Sequence, residues 1–363
     1  MPPTGKGKKK ILIVAEAPGE KEDLKGVQLI GESGQLLRRL LKELDVDLDR
    51  DCWKTNAVIC RPRKNATPEY EQIKACSPNV FKAIKEYDPN VIILLGGVSV
   101  QSVIGTLKNE RLKSRGAWMG WQIPSQELNT WICPTYHPSY LLRMQDSLIE
   151  RALKQHLKAA IELSGSKPWV AIPDYTKEIQ IIANPSKAAK RLNYYLEQGG
   201  TIAFDYEANC VKPEYEGSEL YSCSVCWNDK ETIAFPWVGE AVEAMKNLLQ
   251  SPVAKIGANM KYEDRWTRNK LRTRIRNWIW DTMVAAHVLD NRPGITGLKF
   301  QAFVLLGQKS YNDHIQPLLE SGANHLNRIH EIDIQDLLLY NGLDSLLTYK
   351  VALKQMKLFG KEL

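Results

Sequence analysis

Short apolar segments alternate with helical patterns along the first half of the chain. Predicted strands cover Lys10–Ala15, Trp53–Ile59, Asn90–Leu95 and Trp131–Tyr136. Between the first two strands, leucines recur three and four residues apart from Leu36 to Leu44, a spacing typical of an amphipathic helix. A second helix is predicted with Thr67 as its N-terminal cap and Pro68 in its first position, and a third over Leu148–Leu163. This alternation predicts a parallel α/β sandwich.

The pattern breaks at Ser164–Pro168, where small, polar and proline residues replace the apolar periodicity. We therefore predict a first domain over residues 1–164, a linker over residues 165–174 and a second domain over residues 175–363. In the second domain, predicted strands cover Glu178–Ile182, Thr201–Tyr206, Leu220–Trp227, Glu231–Pro236 and Ala254–Ala258. The third and fourth of these have the pattern of edge strands. Helices are predicted over Ser186–Glu197, Ala241–Leu249 and most of the remaining chain.

Composition narrows the class of protein. The 363 residues suffice for two cores, and the net charge of +7 is concentrated in residues 1–170, which hold 26 Lys and Arg against 19 Asp and Glu. A basic domain favours a polyanionic partner. No apolar run reaches the ~18 residues of a membrane span, and Met1–Lys10 does not resemble a secretory signal. Seven cysteines, an odd number, argue against a disulfide framework and favour the cytoplasm.

Carboxylates mark the candidate chemistry of the second half. Asp205 and Glu207 lie two residues apart on a predicted strand and therefore point to the same face. Tyr340 and Asp344 lie four residues apart and share one face of a predicted helix. Three carboxylates at one point repel each other unless a cation neutralises them, and hard divalent ions take oxygen ligands. Two ions about 3.5–4 Å apart can clamp the attacking and leaving oxygens of a phosphoryl displacement.

These motifs resemble those of DEDD-type 3′–5′ exonucleases, such as the proofreading domain of family A DNA polymerases. The matching segments are Asp205–Glu207, Asn259–Glu263, Asp281-Thr282 and Tyr340–Asp344. The resemblance implies an RNase H-like fold and a site for two Mg²⁺ or Mn²⁺ ions. The implied ligands are Asp205, which would bridge both ions, Glu207 and Asp344. Glu263 stands where the family usually has Asp and would act through a water, unless a shift of one residue gives this role to Asp264. Tyr340 would orient the nucleophilic water.

The first half carries a second set of motifs. Its segments are Ala15–Gly19, Glu22-Asp23, Gly26–Gly31, Thr55-Asn56, Cys60–Pro62, Arg115-Gly116 and Tyr136–Arg143. Together they resemble a family 4-type uracil-DNA glycosylase over nearly the whole first half. The resemblance implies a uracil-DNA glycosylase-like α/β/α sandwich.

Cleavage of an N-glycosidic bond requires a pocket that holds a flipped base while negative charge develops on the leaving uracil. The resemblance implies that His137 stabilises this charge, because it can donate a hydrogen bond to uracil O2. Asn56 would pair with the uracil edge, and Glu16 would help to place the water. The residues implied to contact uracil or DNA are Ala17, Leu29, Arg115, Ser139 and Arg143.

At three places the sequence departs from the glycosylase family, so the fold does not by itself imply the activity. The family binds an iron–sulfur cluster through four cysteines, but Met1–Lys10 holds none and only Cys60 and Cys76 remain, so we expect no cluster. Leu29 stands where the family stacks a phenylalanine on uracil, and loss of such a stack costs about 1–3 kcal/mol. Ala15 replaces the first glycine of its motif. The domain is therefore either an active glycosylase or a degenerate DNA-binding domain that positions the exonuclease.

The expected protein is a DNA replication or repair factor that joins a uracil-glycosylase-like module to a two-metal 3′–5′ exonuclease of the proofreading type. Its expected partner is DNA, as single strands or 3′ ends that can contain uracil, and a DNA polymerase is a further candidate. We expect a cytoplasmic protein, in the host cytoplasm if it is viral, with no membrane association. Two alternatives remain open: a non-catalytic DNA-binding module that recruits a polymerase, and the N-terminal part of a family A-like DNA polymerase.

The missing cysteines lead to a direct prediction. The purified protein should be colourless and free of iron, because Cys60 and Cys76 cannot complete the four-cysteine ligand set of a cluster. Iron analysis and a visible absorption spectrum test this. A brown protein with iron–sulfur absorption bands would contradict the prediction and direct attention to Cys223 and Cys226.

Overall fold

The computed structural model describes residues 1–311, 313–320 and 324–361, which form two compact units. The first unit comprises residues 1–172 with residues 303–309, and the second comprises the other described residues from 173 to 361. Each unit is an α/β structure with a six-stranded sheet. Every helix in this part of the chain is too short or too polar to span a bilayer.

The sheet of the first unit is parallel at its centre. Its strands are β1 (Thr4–Gly5), β2 (Ile11–Ala15), β3 (Cys52–Asn56), β4 (Val91–Leu95), β5 (Ile123–Ser125) and β6 (Thr130–Thr135). Their order is β1-β3-β2-β4-β6-β5, with the four inner strands parallel and both edge strands antiparallel to their neighbours. β2 and β4 are buried along their whole length, which explains their unbroken apolar sequences. The predicted α/β fold is confirmed.

The α-helices between these strands include one whose predicted start was wrong. They are α1 (Glu20–Lys25), α2 (Glu32–Lys42), α3 (Tyr70–Tyr87), α4 (Gly96–Val100), α5 (Pro138–Met144) and α6 (Ser147–Glu162). Shorter helical turns cover Arg63–Asn65, Gln101–Gly105, Gly116–Trp118 and Leu163–Gly165. The cap of α3 is Glu69 and not Thr67, because Glu69 and Gln72 form a reciprocal capping box in which each side chain accepts from the other's backbone N–H. Pro68 therefore precedes the helix.

The sheet of the second unit is mixed. Its strands are β7 (Ile179–Ile181), β8 (Thr201–Ala208), β9 (Leu220–Trp227), β10 (Glu231–Pro236), β11 (Ala254–Gly257) and β12 (Trp278–Asp281). Their order is β12-β11-β8-β9-β10-β7. The neighbours β8, β9 and β10 are antiparallel to one another in turn, whereas β11 and β12 run parallel to β8. This mixed order agrees with the RNase H-like fold that the resemblance implied. The prediction that β9 and β10 are edge strands was wrong, because the three-residue strand β7 pairs with β10 and takes the edge position.

The described part of the chain after residue 172 contains seven α-helices, and the last of them packs against this sheet. They are α7 (Pro185–Gln198), α8 (Glu240–Gln250), α9 (Met260–Leu271), α10 (Thr282–Leu289), α11 (Leu298–Leu306), α12 (Gln316–Leu319) and α13 (Ile334–Leu358), with short turns at Tyr175–Glu178 and Ile329–Glu331. α13 contacts β7, β8, β9 and β10. At Gly342 it lies so close that an added Cβ would be 2.5 Å from Cγ2 of Ile179. This close approach brings the polar residues of α13 to the end of β8.

Candidate active sites

Three carboxylates meet where β8 ends and α13 crosses it. Oxygen atoms of Asp205, Glu207 and Asp344 all lie within 4.8 Å of one another. Asp205 and Glu207 are alternate residues of β8, and Asp344 is buried on α13. Among the residues described here, this is the one group of three or more His, Cys, Asp or Glu side chains compact enough to hold a metal ion. The structure thus brings together three of the carboxylates that the motifs indicated.

Burial and mutual repulsion make full ionisation of this carboxylate group unfavourable. Burial raises the pKa of Asp205 well above its ordinary value, and the charge of Asp344 raises it further. Burial, followed by the charges of Asp205 and Asp344, also raises the pKa of Glu207. A divalent cation would relieve the repulsion and satisfy the oxygens, so the donor set fits Mg²⁺ or Mn²⁺.

Two side chains that the motifs did not indicate also reach this group. Tyr311 donates a hydrogen bond from its hydroxyl group to Oδ1 of Asp344, and the nearby Tyr340 also opposes the rise that burial causes in the pKa of Asp344. The Nζ atom of Lys299 lies 5.2 Å from the ring centroid of Tyr340 and 5.9 Å from that of Tyr311. Its positive charge partly offsets the effect of burial on the pKa of Asp344. Tyr311 and Lys299 lie far from the motifs in sequence, so no spacing rule pointed to them.

A third unpredicted contact comes from Asn341, which is fully buried on α13. Its Nδ2 atom donates a hydrogen bond to Oδ2 of Asp205 at 2.8 Å. Its Oδ1 atom accepts a hydrogen bond from the Ser222 hydroxyl at 3.0 Å. Asn341 lies inside the Tyr-x-x-x-Asp motif, but at a position that the motif leaves unspecified.

The two candidates for the acid of the second motif occupy different environments. Glu263 is 2% exposed, and burial followed by the charge of Asp205 raises its pKa. Its Oε2 atom has no hydrogen-bond partner within the described part of the chain. Asp264 instead forms an ion pair of 2.7 Å with Arg268, one helical turn further on. Glu263 is thus buried and influenced by the charge of Asp205, whereas the carboxylate of Asp264 pairs with an arginine.

Asp281 is bound through its carboxylate to the backbone at the starts of two helices. Its Oδ1 atom accepts hydrogen bonds from the backbone N–H groups of Asn259 at 3.1 Å and Met283 at 2.9 Å. Its Oδ2 atom accepts from the backbone N–H of Met260 at 2.9 Å. One carboxylate therefore binds the N-termini of both α9 and α10. This fixes the first turn of α9, which carries Glu263.

The glycosylase-type residues converge on an open cavity of about 680 Å³ in the first unit. The predicted residues that line it are Glu16, Ala17, Leu29, Asn56, His137, Ser139 and Arg143. Several of them follow the carboxyl ends of the parallel strands β2, β3 and β6, where ligands bind in open α/β sheets. Arg115 does not line the cavity. Its charge, after that of Arg143, opposes the rise that burial causes in the pKa of Glu16.

His137 is held in one protonation state. Burial, with a smaller effect of the Arg143 charge, lowers its pKa to about 4, so the ring is neutral at neutral pH. Its Nδ1 atom accepts a hydrogen bond from the backbone N–H of Ser139 at 3.1 Å. Because a backbone N–H can only donate, Nδ1 carries no hydrogen and the neutral ring carries it on Nε2. Nε2 is therefore an uncharged hydrogen-bond donor.

Leu29 contributes to the cavity wall from a strained conformation. Its φ of +55° lies in the left-handed region, which bulky residues seldom adopt. Glu22 holds the residues that follow, since its carboxylate accepts from the N–H groups of Ile30 at 3.0 Å and Gly31 at 2.7 Å. Gly34 leaves room for this turn, because a Cβ there would lie 2.0 Å from the carbonyl oxygen of Leu29. The loop therefore fixes the side chain that replaces the expected aromatic ring.

The two cysteines expected as a cluster remnant lie in the first unit as free thiols. Cys60 is exposed and Cys76 is half-buried. Neither belongs to a compact group of metal-ligating side chains within the described ranges. Cys223 and Cys226 lie buried on β9, and burial raises the pKa of the Cys226 thiol to about 12. Burial therefore disfavours the thiolate form of Cys226, which is the form that binds a metal ion.

Two families of known proteins match the chain, one for each half. The uracil DNA glycosylase superfamily matches residues 2–162, and a 3′–5′ exonuclease family matches residues 180–358. The type-4 uracil-DNA glycosylase of Saccharolobus solfataricus is 36% identical over 172 residues, covering 46% of this chain and 77% of that protein.

Proteins that resemble the exonuclease half are more distant. A DNA polymerase of Bacillus phage SP01 is 26% identical over 323 residues, covering 80% of this chain and 34% of the polymerase. This chain thus spans about a third of that relative's length. The catalytic core of RRP6 from Trypanosoma brucei has 17% identity and a TM-score of 0.38, over 50% of this chain and 47% of that one. The sequence matches show that the chain belongs to the type-4 uracil-DNA glycosylase family through its first half, and its second half matches a 3′–5′ exonuclease family.

Proposed function

We propose that the second unit is a metal-dependent exonuclease that removes nucleotides from the 3′ ends of DNA, in the manner of a proofreading domain. The observation that supports this most is the group of Asp205, Glu207 and Asp344, whose oxygens lie within 4.8 Å of one another. These carboxylates would hold two Mg²⁺ or Mn²⁺ ions. When bound, the ions supply positive charge that stabilises the attacking and leaving oxygens of the phosphodiester.

The side chains of the second unit would supply the remaining functions. The hydroxyl group of Tyr340 can donate to the nearby Asp344 and still keep an oxygen lone pair, which would accept from the nucleophilic water and orient it. The unpartnered Oε2 of Glu263 can accept a hydrogen bond from a water close to the carboxylate group. Lys299 places a positive charge beside Tyr340 and Asp344, where it would attract a phosphate. Each of these roles follows from a donor, an acceptor or a charge at a defined position.

The first unit is proposed to bind DNA and to excise uracil weakly. The neutral Nε2–H group of His137 can donate to the negative charge that develops on the leaving base. Asn56 lines the same cavity and can pair with the uracil edge, and Glu16 can help to place the water. Leu29 provides no aromatic face for stacking, which argues for slow excision. We also propose that this unit carries no iron–sulfur cluster.

A second candidate function is that the whole chain binds DNA as part of a larger assembly. Similarity to a phage DNA polymerase extends over 80% of the chain, more than either family match alone, so it includes parts of both halves. This favours a module that works beside a polymerase domain or forms the front part of one, in the cytoplasm of a cell or viral host. A non-catalytic recruiting module would share this placement but would leave DNA intact.

The exonuclease proposal predicts the effect of removing one ligand. Asp205→Ala should slow the degradation of 5′-labelled single-stranded DNA from its 3′ end by at least about 100-fold, because it removes one of the three carboxylates that would hold the metal ions. Chelation of divalent ions should stop the wild-type reaction. An unchanged 3′ ladder with Asp205→Ala would contradict the assignment of the site.

Neighbouring residues provide a matched control for the second-motif acid. Glu263→Gln should slow the same reaction by about tenfold or more, whereas Asp264→Asn should change it by less than about twofold. Both variants replace one carboxyl group with an amide on α9, but only Glu263 is buried beside Asp205. The opposite order would assign the role to Asp264.

The glycosylase proposal predicts a gain and a loss. Leu29→Phe should increase excision of a single uracil, because it restores a base–aromatic stack worth about 1–3 kcal/mol. His137→Ala should abolish excision while leaving DNA binding nearly unchanged, since it removes a donor to charge formed during the reaction. The assay is alkali-induced cleavage at uracil without Mg²⁺, which silences the exonuclease. If neither the wild type nor Leu29→Phe cleaves, the first unit is a binding module.

A further inference from the structure

The contacts of Asn341 form a short hydrogen-bonded chain between two strands of the second unit. The Ser222 hydroxyl on β9 donates to Oδ1 of Asn341 at 3.0 Å, and Nδ2 of Asn341 donates to Oδ2 of Asp205 at 2.8 Å. A separate bond runs from the Ser224 hydroxyl to the backbone carbonyl of Asn341 at 2.7 Å. Ser222, Ser224 and Asn341 are fully buried, so water does not compete for these bonds.

The direction of this chain is fixed by the chemistry of its ends. In the ionised form that binds metal, the oxygens of Asp205 can only accept, so the amide NH₂ of Asn341 must face them. The amide oxygen then faces Ser222, whose hydroxyl must donate. If the amide turned over, its oxygen would meet the carboxylate oxygen at hydrogen-bond distance, and two acceptors repel. The Asp205 carboxylate therefore determines which atom of Asn341 faces it, and Ser222 holds the opposite end of the amide in place.

The register of β8 and β9 explains why a helix residue can reach Asp205 at all. Ser224 lies opposite Asp205 and Ser222 lies opposite Glu207, so small side chains occupy the strand beside both carboxylates. Gly342 also allows the helix to pack closely, because a Cβ at this position would lie 2.5 Å from the side chain of Ile179. Small residues on β9 and on α13 thus allow the helix to approach the sheet, so that the Asn341 side chain reaches both Ser222 and Asp205.

We infer that Asn341 is a positioning residue that holds the Asp205 carboxylate in the orientation for metal binding, with Ser222 holding Asn341 in turn. This inference rests on the proposed exonuclease function. Asn341 itself stays outside the metal ligand set, because its amide oxygen is used by Ser222 and its nitrogen is a donor. An amide that binds one carboxylate oxygen fixes the plane of the carboxylate, and such outer contacts tune metal affinity.

The test measures Mn²⁺ affinity by isothermal titration calorimetry on the full chain without DNA. Asn341→Leu keeps the side-chain size and removes both hydrogen bonds, and it should weaken Mn²⁺ binding by about 10–100-fold. Ser222→Ala should weaken it by a smaller factor of about 3–10, because the amide loses its fixed orientation. Ser224→Ala is the matched control: it removes an equally buried hydroxyl bond to Asn341, but one that does not reach Asp205, and it should leave Mn²⁺ affinity unchanged.

Each outcome distinguishes positioning from general loosening of α13. If Ser222→Ala and Ser224→Ala weaken Mn²⁺ binding equally, or neither does, the inference is wrong even if Asn341→Leu fails to fold. In that case the proposed exonuclease site still stands, provided that wild-type protein binds Mn²⁺ and Asp205→Ala does not. A wild-type protein that binds no Mn²⁺ would overturn both the inference and the proposed function.

Discussion

Mutual repulsion among Asp205, Glu207 and Asp344 is the constraint on which the second unit's site depends. Their oxygens lie within 4.8 Å of one another. At an effective dielectric constant near 20, two unit charges at that distance repel by about 3–4 kcal/mol. Three such pairs amount to about 10 kcal/mol, comparable with the 5–15 kcal/mol that stabilises a whole domain. The three groups therefore cannot all stay ionised without a counter-charge, and protons or cations must occupy the site.

The fold maintains this unfavourable group through contacts around it. Close packing of Gly342 against Ile179 and the hydrogen bonds of Asn341 to Asp205, Ser222 and Ser224 hold α13, which carries Asp344, on the sheet. Asp281 binds the first turns of α9 and α10, so that Glu263 is presented beside the group. Hydrogen bonds from Tyr311 and Asn341 satisfy individual carboxylate oxygens, and the charge of Lys299 offsets part of the repulsion. Together these contacts prepare the site for cations before any cation binds.

Local spacing in the sequence predicted the part of this site that local geometry controls. Asp205 and Glu207 share a strand face because they alternate, and Asp344 follows Tyr340 by one helical turn. Spacing could not choose between Glu263 and Asp264, since adjacent helix positions differ by about 100° and only packing decides which one is buried.

Contacts that depend on tertiary packing were missed for the same reason. Tyr311 and Lys299 approach Asp344 only after the chain folds back, and no periodic pattern marks such residues. The edge assignment of β9 and β10 failed because the pairing partner β7 is a three-residue strand with little pattern of its own. In the glycosylase-like half, motifs located the cavity residues, but the strained backbone of Leu29 has no signature in sequence.

Proton release on metal binding tests the central claim most directly. Because burial and repulsion raise the pKa of Asp205 and Glu207 well above their ordinary values, the metal-free site should retain protons at pH values where exposed carboxyl groups have lost them. Calorimetric titration of Mg²⁺ into the metal-free protein, repeated in two buffers of different ionisation enthalpy, measures the protons displaced. We predict a net release of protons that is larger at about pH 6 than at about pH 7. Binding of Mg²⁺ with no proton release at either pH would contradict the account.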